Sequence, residues 1–324
     1  MMSCPHSPDL LTGIIQSLTR MSCHVINVGA VSLPCLWRTA EMEKSHAGIY
    51  VGAPGSHPST IGLNFLWSGA QPCTATFQLD KLDARLTQGT PRPLRRSAGY
   101  RTLLPQADYE ATLTPWFHAF RPLKIVCAVV GRNQLALLQR LFAGVACQVT
   151  FLSLPSPRDL HHLNDPDVRK VCQAVRDQQA HLGCLVDEDG QSILFCDEAG
   201  RSIPPAEISL LLASETLREH PGCTIVLPQD LADQFGTRIT AQAGKVHAIS
   251  QDTLSAMSHG MRASDAHFGG SGTYRYWHRE TTPQGHFPSS HFPQCDSLVT
   301  LATLLRTLSR SDADFSQVLA TLRS

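Results

Sequence analysis

The sequence has no net charge: Lys plus Arg and Asp plus Glu balance at 27 each. No long-range field therefore recruits nucleic acid or an anionic membrane, and neither is expected as a partner. It contains no apolar stretch of membrane-spanning length. Its start, MMSCPHSPDL, carries no basic-then-apolar leader pattern. No C-x-x-C pair occurs, and the 11 cysteines are scattered singly, most inside apolar runs such as KIVCAVV and ILFCD. That usage points to reduced thiols filling the core of a cytoplasmic protein rather than to a disulfide framework. Low-complexity tracts and close internal repeats are absent too. What remains is an ordinary hydrophobic fraction of 42% over 324 residues, enough for two or three domains.

The chain alternates strand and helix patterns. SPDLLTGIIQSLTR opens with Ser7 as N-cap, Pro8 at the first helical position and an apolar face at Leu10, Leu11, Ile14, Ile15 and Leu18. HVINVGA reads as a strand, the region around CLWRTAEME as a helix, and residues 47–53 as a strand. Further on, 122–130 and 147–154 read as strands, with helices over NQLALLQRLFAG and DPDVRKVCQAVRDQQA. The last third has helices in PPAEISLLLASETLREH, QDTLSAMSHGMR and 296–310, with CTIVLP as a strand. Such alternation means parallel or mixed sheets covered by helices. The polar, proline-bearing residues 80–121 read as the tail of a first domain plus a linking helix, and DEAGRSIPP as a second boundary.

Residues 181–200, HLGCLVDEDGQSILFCDEAG, leave two readings open. Asp-Gly between two apolar runs is a hairpin signal. Asp187, Glu188 and Asp189 in succession also offer the hard oxygen ligands a divalent cation takes.

The order of these elements resembles that of the α-D-phosphohexomutases, the phosphoglucomutase and phosphomannomutase family. HLGCLVDEDGQS followed by DEAG stands in register with that family's metal loop, DLGIAFDGDGDR followed by DExG. AGIYVGAPGSHPSTIGLNF occupies the place of its serine loop, GIMITASHNPxxxNGIKF, and SDAHFGGSGTYRY that of its sugar loop, GGExSGH. RPLKIVCAVVGRNQLALLQRLFAGVACQVTFL is similar to the start of its second domain, and SPDLLTGIIQSLTRMSCHVINVGAVSLPCLW to its opening helix, strand and VPTPA turn.

This resemblance implies an α/β protein of three similar domains (1–112, 113–203 and 204–324), each a mixed sheet sandwiched between helices. The family's fourth domain, with its RxSGTEP phosphate cradle, is expected to be absent, as is the GRDTR strand that precedes the first helix. It also implies phosphoryl transfer between a phosphoserine and a sugar phosphate, helped by Mg²⁺. The family's Ser-His falls on Ser56-His57 in one register, whereas an ungapped register puts Pro54 at the nucleophile position. The metal positions are Asp187, Asp189 and Gln191, where a neutral amide replaces the third carboxylate and Ser192 replaces an arginine, so Mg²⁺ binding is expected to be weak. Substrate positions fall on Gly270, Ser271 and Gly272, without the family's glutamate, and near Lys245.

With several elements of one catalytic unit altered together, the expected function is a catalytically impaired relative. It would bind a hexose phosphate or a protein partner in a regulatory role. Two alternatives stand beside it: an active mutase completed by a partner subunit, and an interaction protein without ligand. Uncovered sheet edges further imply a homo-oligomer. Three other groupings stand out. His278, His286, His291 and Cys295 are Zn²⁺-ligand types, set against a solvated loop with incidental histidines. Arg92, Arg95, Arg96 and Arg101 form a basic cluster, set against an exposed charged linker. Trp116, Phe117 and Phe120 read as interface packing.

Overall fold

The computed structural model describes residues 7–52, 61–73, 80–89, 98–154, 166–279 and 294–323. The chain divides into two compact units, Met1–Tyr109 and Glu110–Ser324. In the first, the order is α1 (Ser7–Arg20), β1 (Val25–Asn27), α2 (Leu33–Met42), β2 (Ala47–Gly52), β3 (Gly62–Trp67), β4 (Gln71–Pro72), α3 (Asp80–Gln88) and β5 (Tyr100–Thr102). Helix α4 (Gln106–Leu113) spans the division. The strands of this unit form two small sheets rather than one. β1 pairs in parallel with β5, while β2, β3 and β4 form an antiparallel meander. Its best-buried element is α2, started by Pro34 in the first turn, with Leu33 through Ala40 all buried. Pro54, Ser56 and His57 lie outside the described residues, as do Arg92, Arg95 and Arg96.

The second unit holds β6 (Lys124–Val130), α5 (Arg132–Ala143), β7 (Gln148–Leu154), α6 (Pro166–Gln178), β8 (Leu182–Val186), β9 (Ile193–Asp197) and α7 (Pro205–Glu219). It continues with β10 (Thr224–Pro228), α8 (Gln229–Ala241), β11 (Lys245–Ile249), α9 (Leu254–Ala263), β12 (Phe268–Gly270), β13 (Tyr276–His278), β14 (Gln294–Cys295), α10 (Ser297–Leu308) and α11 (Phe315–Arg323). These build two mixed sheets, ordered β7-β6-β8-β9 and β11-β10-β12-β13-β14.

The continuous apolar run KIVCAVV explains why β6 is central: a strand covered on both faces carries no polar alternation. Ile125 through Val129 are each 0% exposed, with β7 and β8 parallel on either side. In the other sheet β10, reading TIVLP, takes the same role between β11 and β12. The sequence pattern misses α8 and β11. In α8 only Leu231, Phe235 and Ile239 are buried, a stripe one residue wide at four-residue spacing. Strand β11 is an edge with half-exposed residues, so it has little apolar signal to read. The molecule is thus an α/β protein of mixed sheets flanked by helices. Among the described residues no helix is long and apolar enough to cross a membrane.

Candidate functional site

The acidic turn Asp187–Ser192 joins the antiparallel strands β8 and β9, in the register Val186↔Ile193 to Leu182↔Asp197. The backbone closes it as a hairpin: Asp187 N–H donates to Ser192 O (3.1 Å) and Gly190 N–H to Asp187 O (3.2 Å). Gly190 sits at φ +77°, a left-handed position that glycine adopts without a Cβ penalty. The side chains serve the turn as well. Asp187 Oδ1 accepts from Glu188 N–H (2.7 Å) and Asp189 Oδ1 from Gln191 N–H (2.9 Å).

Other elements strap this turn in place. The start of α10 does most of it, with Ser297 donating both N–H (3.0 Å) and Oγ–H (2.8 Å) to Gly190 O. Asp296 caps that helix by accepting from Leu298 N–H at 2.8 Å. Cys295 Sγ–H points at Gln191 O (3.4 Å). Near the start of α5, the Gln134 amide oriented to satisfy both neighbours donates to Asp187 O (2.8 Å) and accepts from Gly190 N–H (3.2 Å).

The segment aligned to the sugar loop comes to the same place. Ser192 bridges antiparallel to Arg275, and Ile193 N–H donates to Tyr274 O (3.0 Å). Within the segment, the Ser271 and Thr273 hydroxyls meet at 2.7 Å, and Ser209 Oγ–H donates to Ser271 O at 3.2 Å. A Cβ on Gly270 would lie 2.6 Å from Ser209 Oγ, so only glycine fits there. Tyr274, at φ +61°, is 5% exposed and packs into the β6–β8 core. Buried packing is what holds this residue in the left-handed conformation.

Two residues of this junction carry no sequence signal. The segment itself has no acid, yet Asp252, twenty positions upstream, accepts from Gly272 N–H at 2.7 Å. Asp252 lies just before α9 in a run whose only local message is a helix start. Arg275 is the other, a lone arginine in TYRY whose neighbour Ser192 is distant in sequence. Its charge faces both Asp187 and Asp252 and favours their ionised forms. The opposing influences are larger. Burial, then Asp189, push the Asp187 carboxyl well above its ordinary range, and burial raises Asp252. Four side-chain atoms at the junction are buried without a hydrogen-bond partner: Gln191 Nε2, Ser192 Oγ, Asp252 Oδ1 and Arg275 Nε.

The donor set does not suit a tightly held Mg²⁺. Asp187 and Asp189 each commit one oxygen to the turn's own backbone, Gln191 offers a neutral amide, and a guanidinium already faces Asp187. Among the described residues, no group of three or more His, Cys, Asp or Glu is placed to hold a metal ion.

Other sequence-derived positions separate. Lys245 is exposed and begins β11, paired with Thr224, whereas Gly270 ends β12 beyond the Val226↔Gly269 pair. It therefore stands at the opposite end of the sheet from Gly270, about 10 Å away along the strands, and further still from Ser271 and Gly272. His278 and Cys295 occupy adjacent rungs of β13 and β14, where Cys295 opposes Trp277, so the two face opposite sides of the sheet. His278 is buried against Thr300 (Nε2 to Oγ1, 3.0 Å) and Phe268, and burial lowers it to about 3. His286 and His291 lie outside the described residues. Arg101 pairs with Glu43. Phe117 packs edge-on against Phe142 and Phe120, and Arg306 lies over Trp116, all inside the second unit.

No family model matches the chain. Among curated proteins it is 23% identical to the phosphomannomutase/phosphoglucomutase of Pseudomonas syringae over 248 residues, which is 74% of this chain and 51% of that one. The chain spans about half the length of the curated relatives it matches. Among solved structures it superposes on a phosphoglucomutase/phosphomannomutase family protein of Burkholderia thailandensis with a TM-score of 0.82. The identity there is 20%, covering 99% of this chain and 69% of that one. The N-acetylphosphoglucosamine mutase of Aspergillus fumigatus, solved in complex with GlcNAc-6P and magnesium, superposes with a TM-score of 0.56 at 12% identity, covering 90% of this chain and 76% of that one. In sequence and in fold alike, this chain resembles the α-D-phosphohexomutases.

Proposed function

We propose that the chain binds a hexose phosphate at the junction of the turn Asp187–Ser192 with the segment Gly270–Arg275, without needing a bound divalent ion. The observation that carries this reading is the Ser192–Arg275 backbone bridge, which joins the two loops beside three unpartnered polar atoms, Gln191 Nε2, Ser192 Oγ and Arg275 Nε. A phosphate or a sugar hydroxyl supplies the acceptors such donors lack, and Arg is well matched to phosphate. The Aspergillus relative, solved with GlcNAc-6P, supports the ligand class.

Calorimetric titration with glucose 1-phosphate, mannose 1-phosphate and GlcNAc-6P, each with Mg²⁺ and with EDTA, tests the reading. Binding of at least one sugar phosphate with equal affinity in EDTA is expected, weakened about tenfold by Arg275→Gln through loss of a charge-assisted contact. No heat with any ligand, or heat only with Mg²⁺, overturns it.

A second reading, phosphoryl transfer through Ser56, is favoured by the mutase names of the curated relatives. A coupled mutase assay with glucose 1,6-bisphosphate, together with mapping of a phosphoserine, decides it. Turnover abolished by Ser56→Ala would make the protein an enzyme.

A further inference from the structure

Away from the loop junction, α6 and β9 bring two thiols together. Cys172 Sγ lies 2.8 Å from Cys196 Sγ, with Cys172 7% exposed and Cys196 fully buried. The packing that produces this approach is specific. Gly183, beside Cys196 on β8, has no side chain; a Cβ there would come within 2.6 Å of Val175 and 2.9 Å of Val171, so α6 settles close to the sheet. A disulfide needs the sulfurs near 2.05 Å, a closure of less than about 1 Å from the present separation.

Cys172 also lines a cavity of about 600 Å³ whose wall carries Arg169, Lys170, Arg176 and Arg201. Lys170 is paired with Asp167 and Arg201 with Asp197, and the Glu198 carboxylate also acts on Arg201. Arg176 is one helical turn from Cys172 and is fixed by donating to Gly200 O at 3.0 Å. Gly200 itself sits at φ +67°, and a Cβ there would strike Cys172 O at 2.4 Å.

We propose that Cys172 and Cys196 form a reversible disulfide by exchange with a small, carboxylate-bearing disulfide such as glutathione disulfide, admitted by this cationic cavity. The Cys172 thiolate attacks one sulfur of the oxidant, and the released thiolate leaves as a thiol after taking up a proton. Cys196 then gives up its proton and attacks Cys172 Sγ, expelling the second small thiol. The balance is two protein thiols plus one small disulfide giving one protein disulfide plus two small thiols. The two sulfurs are electronically unequal, as this order requires. Cys172 is drawn below its ordinary value by the Cys196 hydrogen bond and by Arg176, whereas Cys196 is pushed far above by that same bond and by burial. Cys127 and Cys184 provide an internal control: they are strand partners, 0% exposed, with no access from this cavity.

The test is intact mass and peptide mapping of the full chain after incubation with glutathione disulfide, against a neutral small disulfide as probe. The expected result is loss of two hydrogens and a peptide joining Cys172 to Cys196, formed several-fold faster with the anionic reagent. Cys196→Ser should stop at a mixed disulfide on Cys172, and Arg176→Gln should slow the reaction several-fold. Exposed Cys23 serves as a reference thiol that reacts alike with both reagents. Mapping that finds Cys172 and Cys196 unmodified while Cys23 reacts overturns the proposal. Equal rates with the two reagents overturn its anionic-ligand part.

Discussion

The two units of this chain spend their hydrophobic residues differently. In the second, β6 is inaccessible from Ile125 to Val129, and α10 has ten buried residues over its twelve. In the first, β1 and most of β2 are only partly buried, and α3 has no buried residue. All the exposed large hydrophobics among the described residues (Met42, Leu63, Trp67, Leu82, Leu86, Tyr100 and Leu104) belong to the first unit. Two sheets with helices on their faces give each apolar residue of the second unit a partner, while two- and three-stranded sheets cannot cover both of their own faces. The candidate site lies on the saturated unit, where the backbone is held by packing rather than by the ligand, as a pre-formed site requires.

Experiments that sharpen this contrast fall in order of expected size. Ile125→Ala, at the centre of β6, should cost about 2–5 kcal/mol because the site is too enclosed to collapse around the lost atoms. Denaturant unfolding followed by a probe in the second unit measures it. Next, acid should weaken this unit through His278. Its native pKa of about 3 lies below the ordinary 6.5, so the native state holds fewer protons than the unfolded chain between those values. The stability it contributes is complete above pH 6.5 and is lost as pH falls towards 3. His278→Gln should flatten that limb of a melting-temperature profile.

Asp187→Asn should act the other way. The raised native pKa of Asp187 means its charged form opposes folding as pH rises through that value, so a neutral amide removes a cost at pH 8 and changes little in acid, where the carboxyl is already protonated. A gain of about 1 kcal/mol, or about 2–4 °C, is expected by calorimetry. A lower melting temperature would mean that the charge is used. The smallest effect belongs to the first unit: Leu86→Lys on α3 should stay within about 0.5 kcal/mol. A larger loss would mean that this surface is covered in solution.

The elements that read clearly are those whose pattern matches their surroundings. KIVCAVV and DSLVTLATLLRTLSR announce a doubly covered strand and a buried helix because nearly every face of them is packed. LGCLVDEDGQSILFC announces a hairpin through its Asp-Gly turn, and the structure forms it. Strand β11 and helix α8 stayed silent because edges and narrow stripes bury too little to show. The site was legible only in part. Asp187, Asp189, Gln191 and Gly270–Gly272 stand in contiguous motifs, whereas Asp252 and Arg275 reach them across 20 to 83 positions of chain.

Composition and periodicity by themselves determined the α/β class, the lack of a membrane-length apolar run and the acidic turn, because each follows from the character of consecutive residues. Tertiary structure alone decided which charge answers that turn, which carboxylate serves the neighbouring loop, and that Cys172 meets Cys196. Those are contacts between distant segments, and only the folding of one sheet against another sets their separation.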